Sequence, residues 1–104
     1  MASNATAAKP ADRYIDVNGL KIHYVDWTQP GDEAKPPLII LHGIGRMAHS
    51  FDHIAPHFCA RYRVMAMDLR GHGDSGWHPQ AAYLVEDYVQ DLIGMVQQLG
   101  LRDV

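Results

Sequence analysis

Hydrophobic and polar positions along this chain follow two rhythms, one of strands and one of helices. Residues 14–17 and 20–26 are short runs rich in β-formers, separated by Asn18 and Gly19, the pair that best tolerates the positive φ angles of a two-residue hairpin turn. The chain is therefore expected to open with an antiparallel hairpin. Residues 28–37 collect Pro30, Gly31, Pro36 and Pro37 with charges between them, the composition of a surface loop. Leu38, Ile39, Ile40 and Leu41 are apolar without alternation, as in a strand covered on both faces of a mainly parallel sheet. A glycine-containing turn over 42–47 follows. Phe51, Ile54, Ala55 and Phe58 then predict a short helix within 48–58, its last turn weakened by Pro56. Residues 62–68 predict a second buried strand, and 69–80 a turn-rich connection. Helical spacing returns with Val85, Tyr88, Val89, Leu92, Ile93, Val96 and Leu99, and Gly100 stands where a left-handed cap is wanted. Glu86, Asp87, Asp91 and Gln97 are expected to face water. This order predicts an α/β fold, an antiparallel hairpin followed by parallel strands with crossover helices.

Composition narrows the picture. The chain has 104 residues, 47% of them apolar, enough for one small domain or part of one. A net charge of -3 with nine scattered Lys and Arg residues offers no basic face, so no nucleic acid partner is expected. The single Cys59 excludes an internal disulfide and a cysteine-based zinc site, and it reads as a small buried hydrophobe. Residues 1–12 are small and polar with no apolar core of a signal, and read as a disordered leader. The longest apolar run, residues 36–41, is far below the roughly 18 residues of a membrane helix. The expectation is a cytoplasmic protein that does not engage a membrane.

Gly43 and Gly45 follow a buried strand and precede a predicted helix, so backbone N–H groups there can point into a crevice at the strand's carboxyl end. Two kinds of anion suit such a place. One is a pyrophosphate: residues 43–48 read G-x-G-x-x-A, and Asp68 ends the next strand twenty residues beyond Ala48. Against a dinucleotide-binding Rossmann-type domain stand the preceding hairpin, Pro56 in the helix whose dipole should hold the phosphate, and the glycine-rich arginine loop after Asp68. The other is an oxyanion developing on a carbonyl, for which two convergent N–H donors contribute several kcal/mol in a dry site.

Leu41-His42-Gly43-Ile44-Gly45 and Asp68-Leu69-Arg70-Gly71-His72-Gly73-Asp74-Ser75 resemble the paired H-G-x and D-x-R-G-x-G-x-S signatures of the first half of α/β-hydrolases. The separation, one helix and one strand, also resembles that family. The likeness covers residues 14–104, so that 1–12 would be leader and 13–104 an incomplete α/β-hydrolase domain. It implies that the Ile44 N–H is an oxyanion-hole donor, with His42, Gly43 and Gly45 shaping its loop and His42 orienting that loop by hydrogen bonds. It implies no cofactor, no metal and a small-molecule substrate, and it leaves the oligomeric state open. Asp68 and Arg70 flank a turn where opposite charges could pair, and Gly71 and Gly73 permit its tight geometry. That motif would shape a wall of the crevice.

Other motifs admit blander readings. Gly73-Asp74-Ser75-Gly76 resembles the nucleophile segment of chymotrypsin-like proteases, yet helical stripes on both sides do not belong to a β-barrel enzyme. Ser75 does not fit G-x-S-x-G either, because Trp77 stands two positions on. It reads as a turn-stabilising hydroxyl. His49, His53 and His57 recur every four residues but without the carboxylate of H-E-x-x-H, and read as a solvated face. Met65, Met67, Met95, Tyr83 and Tyr88 read as packing, and Trp77 as a possible lid or substrate contact. A hydrolase of the implied type also needs a nucleophile on a strand-to-helix elbow, then an acid, then a histidine base. None has a candidate among these residues, so the chain is expected to be catalytically silent alone, with a non-catalytic binding or scaffold module as a further alternative. The strand at 38–41 would be left as an apolar edge, which predicts aggregation or partial order.

Overall fold

The computed structural model describes residues 9–104. Most of the expected leader, residues 1–8, lies outside the described residues. Its last part is corrected: Ala11 and Asp12 belong to the first strand, β1 (Ala11–Val17), which pairs antiparallel with β2 (Leu20–Asp26) in a register running from Ala11 opposite Asp26 to Val17 opposite Leu20. The hairpin was expected to start later because residues 11–13 are polar. They are held by backbone pairing and by the Asp12 carboxylate, which reaches His23 and His49. Asn18 and Gly19 take φ of 52° and 81°, the two positive values that a type I′ turn requires.

β3 (Pro37–Leu41) and β4 (Arg63–Met67) are parallel, with Leu41 opposite Met67, and the four strands lie in the order β1-β2-β4-β3. β4 meets β2 antiparallel, Tyr24 facing Met67 and Asp26 facing Met65. The long helix α1 (Val85–Gln98) closes on Gly100 at φ 64°, with the Leu101 N–H donating to the Val96 carbonyl. That bond to a carbonyl five residues back completes a Schellman cap, as the glycine predicts.

The period-two alternation of the strands divides the core between the two faces of the sheet. Ile22, Tyr24, Met65 and Met67 join Val17, Leu20, Met95 and Leu101 on the face that α1 covers. Val25, Val64 and Ala66 join Trp27, Ala48, Ala55 and Cys59 on the other. Fully burying a side chain such as Met95 contributes about 1.5–3 kcal/mol, and Met95 has no exposed surface. Cys59 is buried and free, and burial pushes its thiol pKa up.

The predicted helix over 48–58 is corrected to two 3-10 turns, Ala48–Phe51 and Ala55–Phe58. Ile54, His57 and Cys59 donate to carbonyls three residues back. Pro56 has no N–H for an α-helical bond to residue 52, which interrupts the ladder between the two turns and leaves the proline in the first turn of the second, where no donor is needed. Ala48, Ala55 and Cys59 therefore face inward, while Ile54 and Phe58 are exposed.

No helix among the described residues is long and apolar enough to cross a membrane. β3 lies at the edge of the sheet, and beside it Ile39, Leu41, Leu92, Ile93, Val96 and Val104 line an apolar groove of ≈ 450 Å³. An open strand edge beside exposed apolar surface invites pairing between copies. The purified chain is expected to self-associate as its concentration rises in sedimentation velocity, and Ile93→Lys, which puts a charge into the groove, to shift it toward monomer. A wild-type chain that stays monomeric throughout the micromolar range contradicts this expectation.

Candidate functional site

Because β3 and β4 are adjacent and parallel, the loops at their carboxyl ends leave the sheet side by side. His42 begins one and Asp68 the other. Each holds the other loop by its side chain: the Leu69 N–H donates to His42 Nε2 at 2.9 Å, and the Ala48 N–H donates to Asp68 Oδ1 at 2.7 Å. Since Nε2 accepts, the His42 proton sits on Nδ1, which donates to the Gly43 carbonyl at 2.7 Å. His42 is buried and both its nitrogens are occupied by backbone.

Between these clamps the chain makes a β-turn, closed by the Arg46 N–H donating to the Gly43 carbonyl at 3.1 Å. Gly45 has φ 80°, the positive value wanted at the third residue of a type II turn, where a Cβ is disfavoured. Ile44, a residue 78% exposed, takes the second position. Among the described residues the Ile44 N–H meets no acceptor. Ile44 lines a groove of ≈ 250 Å³ together with Arg70, Gly71, His72, Trp77, Tyr83 and Tyr88.

The arginine loop forms the groove's other wall. The expected Asp68–Arg70 pair does not form. Asp68 turns toward the 3-10 turns and β2, where Oδ2 meets His23 Nδ1 at 2.6 Å and accepts the Asp74 N–H at 3.0 Å. A Cβ on Gly73 would run into this carboxylate, so the loop closes tightly only with glycine there. Arg70 turns toward α1 instead, donating from two nitrogens to Asp91 at 2.7 and 2.8 Å and from a third to the Ala82 carbonyl at 2.9 Å. The hydrogen bonds that Arg70 donates to Asp91 raise the arginine pKa further. Asp91, expected to face water, is wholly buried and also accepts from Asn18 Nδ2 at 3.0 Å.

Ser75 is buried as well. Its hydroxyl donates to the Asp68 carbonyl at 2.7 Å and accepts the His23 N–H at 2.9 Å, a tie between loop and strand. Of the three histidines expected on a solvated face, His53 and His57 are exposed, but His49 binds Asp52 and Asp12. Burial opposes its charge, yet the hydrogen bonds to Asp52 and Asp12 raise its pKa; hydrogen bonds from His23 and His49 lower that of Asp12. Sequence reasoning passed over Asp12 and His23. The signal available was an imidazole at a strand position between Ile22 and Tyr24.

The dinucleotide reading finds no support here. Asp68, its ribose partner, is buried with both oxygens engaged, and no α-helix follows the loop to direct a dipole at a phosphate.

Comparison with known proteins adds to this geometry. A family model described as alpha/beta hydrolase fold matches residues 36–104. Epoxide hydrolase A of Mycobacterium tuberculosis is 35% identical over 94 residues, 88% of this chain and 28% of that protein. The sn-1-specific diacylglycerol lipase ABHD11 of Mus musculus is 40% identical over 73 residues, 68% of this chain and 23% of that protein. Among solved structures, a membrane phospholipase A described as a bacterial virulence factor superposes with a TM-score of 0.82 at 29% identity, over 96% of this chain and 31% of that one. The chain thus spans less than a third of the length of each of these proteins.

Proposed function

Since the chain belongs to the alpha/beta hydrolase fold family, we propose that its 104 residues work as the first part of a hydrolase catalytic domain, supplying an oxyanion-hole loop but no nucleophile. The Ile44 N–H, unpaired among the described residues and belonging to a residue that lines the groove, carries this reading. A preorganised donor aimed at developing negative charge stabilises the transition state without reorganising during the reaction. The crossed clamps of His42 and Asp68 supply that preorganisation, since neither end of the turn can move without breaking a buried hydrogen bond.

Neither Ser75 nor His42 is poised to attack. Ser75 Oγ already serves two backbone groups, and the His42 nitrogens are both committed. A nucleophile with its acid and base would enter from residues outside these 104. A serine there would give ester-type hydrolysis, and an aspartate would give epoxide or haloalkane chemistry through an ester intermediate. In either case charge collects on an oxygen that the Ile44 N–H can meet. Ile44, Trp77, Tyr83 and Tyr88 offer apolar and aromatic surface for a small substrate.

The chain by itself is expected to hydrolyse nitrophenyl esters of short or long acyl chains, and epoxides, no faster than buffer. Turnover that disappears in a Ser75→Ala variant would contradict this, because it would make Ser75 a nucleophile. Calorimetry with NAD separates the dinucleotide alternative, for which tight binding is required.

A further inference from the structure

A second cluster lies where β1, β2 and the first 3-10 turn meet, and the proposed hydrolysis does not use it. His23, on β2, has no exposed surface; its Nδ1 lies 2.6 Å from Asp68 Oδ2 and its Nε2 2.8 Å from Asp12 Oδ1. His49 repeats the arrangement from the other side. Its Nδ1 lies 2.8 Å from Asp52 Oδ2, and its Nε2 2.7 Å from the same Asp12 oxygen. Two imidazoles thus turn the same nitrogen toward one carboxylate oxygen, and each rests its other nitrogen on a carboxylate of its own.

We propose that Asp12, His23 and His49 form a binding site for a divalent transition-metal ion of the zinc type, with His23 Nε2, His49 Nε2 and an Asp12 oxygen as its ligands. The donor set selects the metal class, since imidazole nitrogens with one carboxylate suit zinc and its neighbours, whereas magnesium and calcium take oxygen. The outer carboxylates argue for a built site. A metal-binding histidine nearly always donates its other ring N–H to a carboxylate, carbonyl or water, which fixes the tautomer and the ring orientation. Asp68 does this for His23 and Asp52 for His49.

The spacing fits with small movement. The three donor atoms lie within 4.8 Å of one another, and ligands of a tetrahedral ion with bonds near 2.0–2.2 Å stand about 3.3 Å apart. The contacts to Asp12 open by roughly half an ångström as the ion replaces the bridging hydrogens. Asp12 has room for this because its side chain is 55% exposed, whereas His23 is fixed. Three protein ligands leave a fourth position for water or a small anion on the exposed side. The ion would fasten β1 to a turn 37 residues away and, through Asp68, to the clamp on the Ile44 turn.

Titration of the untagged chain with Zn²⁺ against a chromophoric chelator tests the site. One equivalent is expected to bind at micromolar affinity or tighter, and Co²⁺ to give the visible absorption of a tetrahedral nitrogen and oxygen site. His49→Ala and Asp12→Ala, which alter exposed or half-exposed side chains, should each weaken zinc binding at least tenfold with the circular dichroism spectrum retained. Asp52→Asn should weaken it about 10–100-fold, while His53→Ala and His57→Ala leave it unchanged. Zinc binding that His49→Ala and Asp12→Ala do not alter, or that is no stronger than exposed histidines supply, overturns the proposal and leaves a hydrogen-bonded network only.

Discussion

Replacing Asp91 with alanine is expected to cost about 3–5 kcal/mol of folding stability, the penalty for stranding a buried charge. Asp91 is 0% exposed and Arg70 4%, and two of the three guanidinium contacts run to this carboxylate. Without it Arg70 keeps only the Ala82 carbonyl, and Asn18 loses an acceptor as well. The loss is large beside the 5–15 kcal/mol that typically holds a domain together. Replacing both partners, Arg70→Met with Asp91→Leu, is expected to cost much less, because no charge is then left unpaired. Urea denaturation in the Ile93→Lys background gives both values, and a single-variant loss below about 1 kcal/mol would show the pair to be an ordinary surface ion pair. The site feels the same change, since this pair ties the loop bearing Gly71 and His72 to the helix bearing Tyr88.

The order of elements was legible because it rests on local chemistry. Asn18 and Gly19 specify their turn, the apolar runs specify β3 and β4, and the stripe ending at Gly100 specifies α1. The family likeness came from glycines and charged residues at fixed spacing in two loops, and the comparisons bear it out. Partnerships across the sheet were far less legible. Asp68 and Arg70 were expected to pair because they are two residues apart, but β4 ends at Met67 and the chain turns, sending them to opposite layers. Asp91 was assigned to water on polarity alone. It stands four residues before Met95, on the same face of α1 as the helix's most buried apolar residue. An aspartate at that position with an arginine in the neighbouring loop was a signal available to be read. The break between the two 3-10 turns follows from Pro56, whose missing N–H removes the bond to residue 52.

The role assigned to Ile44 is open to an unusually clean substitution. Ile44 takes the second position of its turn, where proline's fixed φ is favoured, and its exposed side chain contributes little packing. Ile44→Pro therefore removes one N–H while the turn and its clamps remain. Ile44→Ala removes the side chain and keeps the N–H. Loss of a single oxyanion-hole donor typically costs about 10²–10³ in kcat, or roughly 2.7–4 kcal/mol. The decisive measurement is kcat for both variants in an active hydrolase containing these residues, assayed on a small ester or epoxide, with circular dichroism confirming that each is folded. The account predicts a fall of about two to three orders of magnitude for Ile44→Pro, little change in KM, and near wild-type turnover for Ile44→Ala. A folded Ile44→Pro enzyme that keeps the wild-type kcat would contradict it.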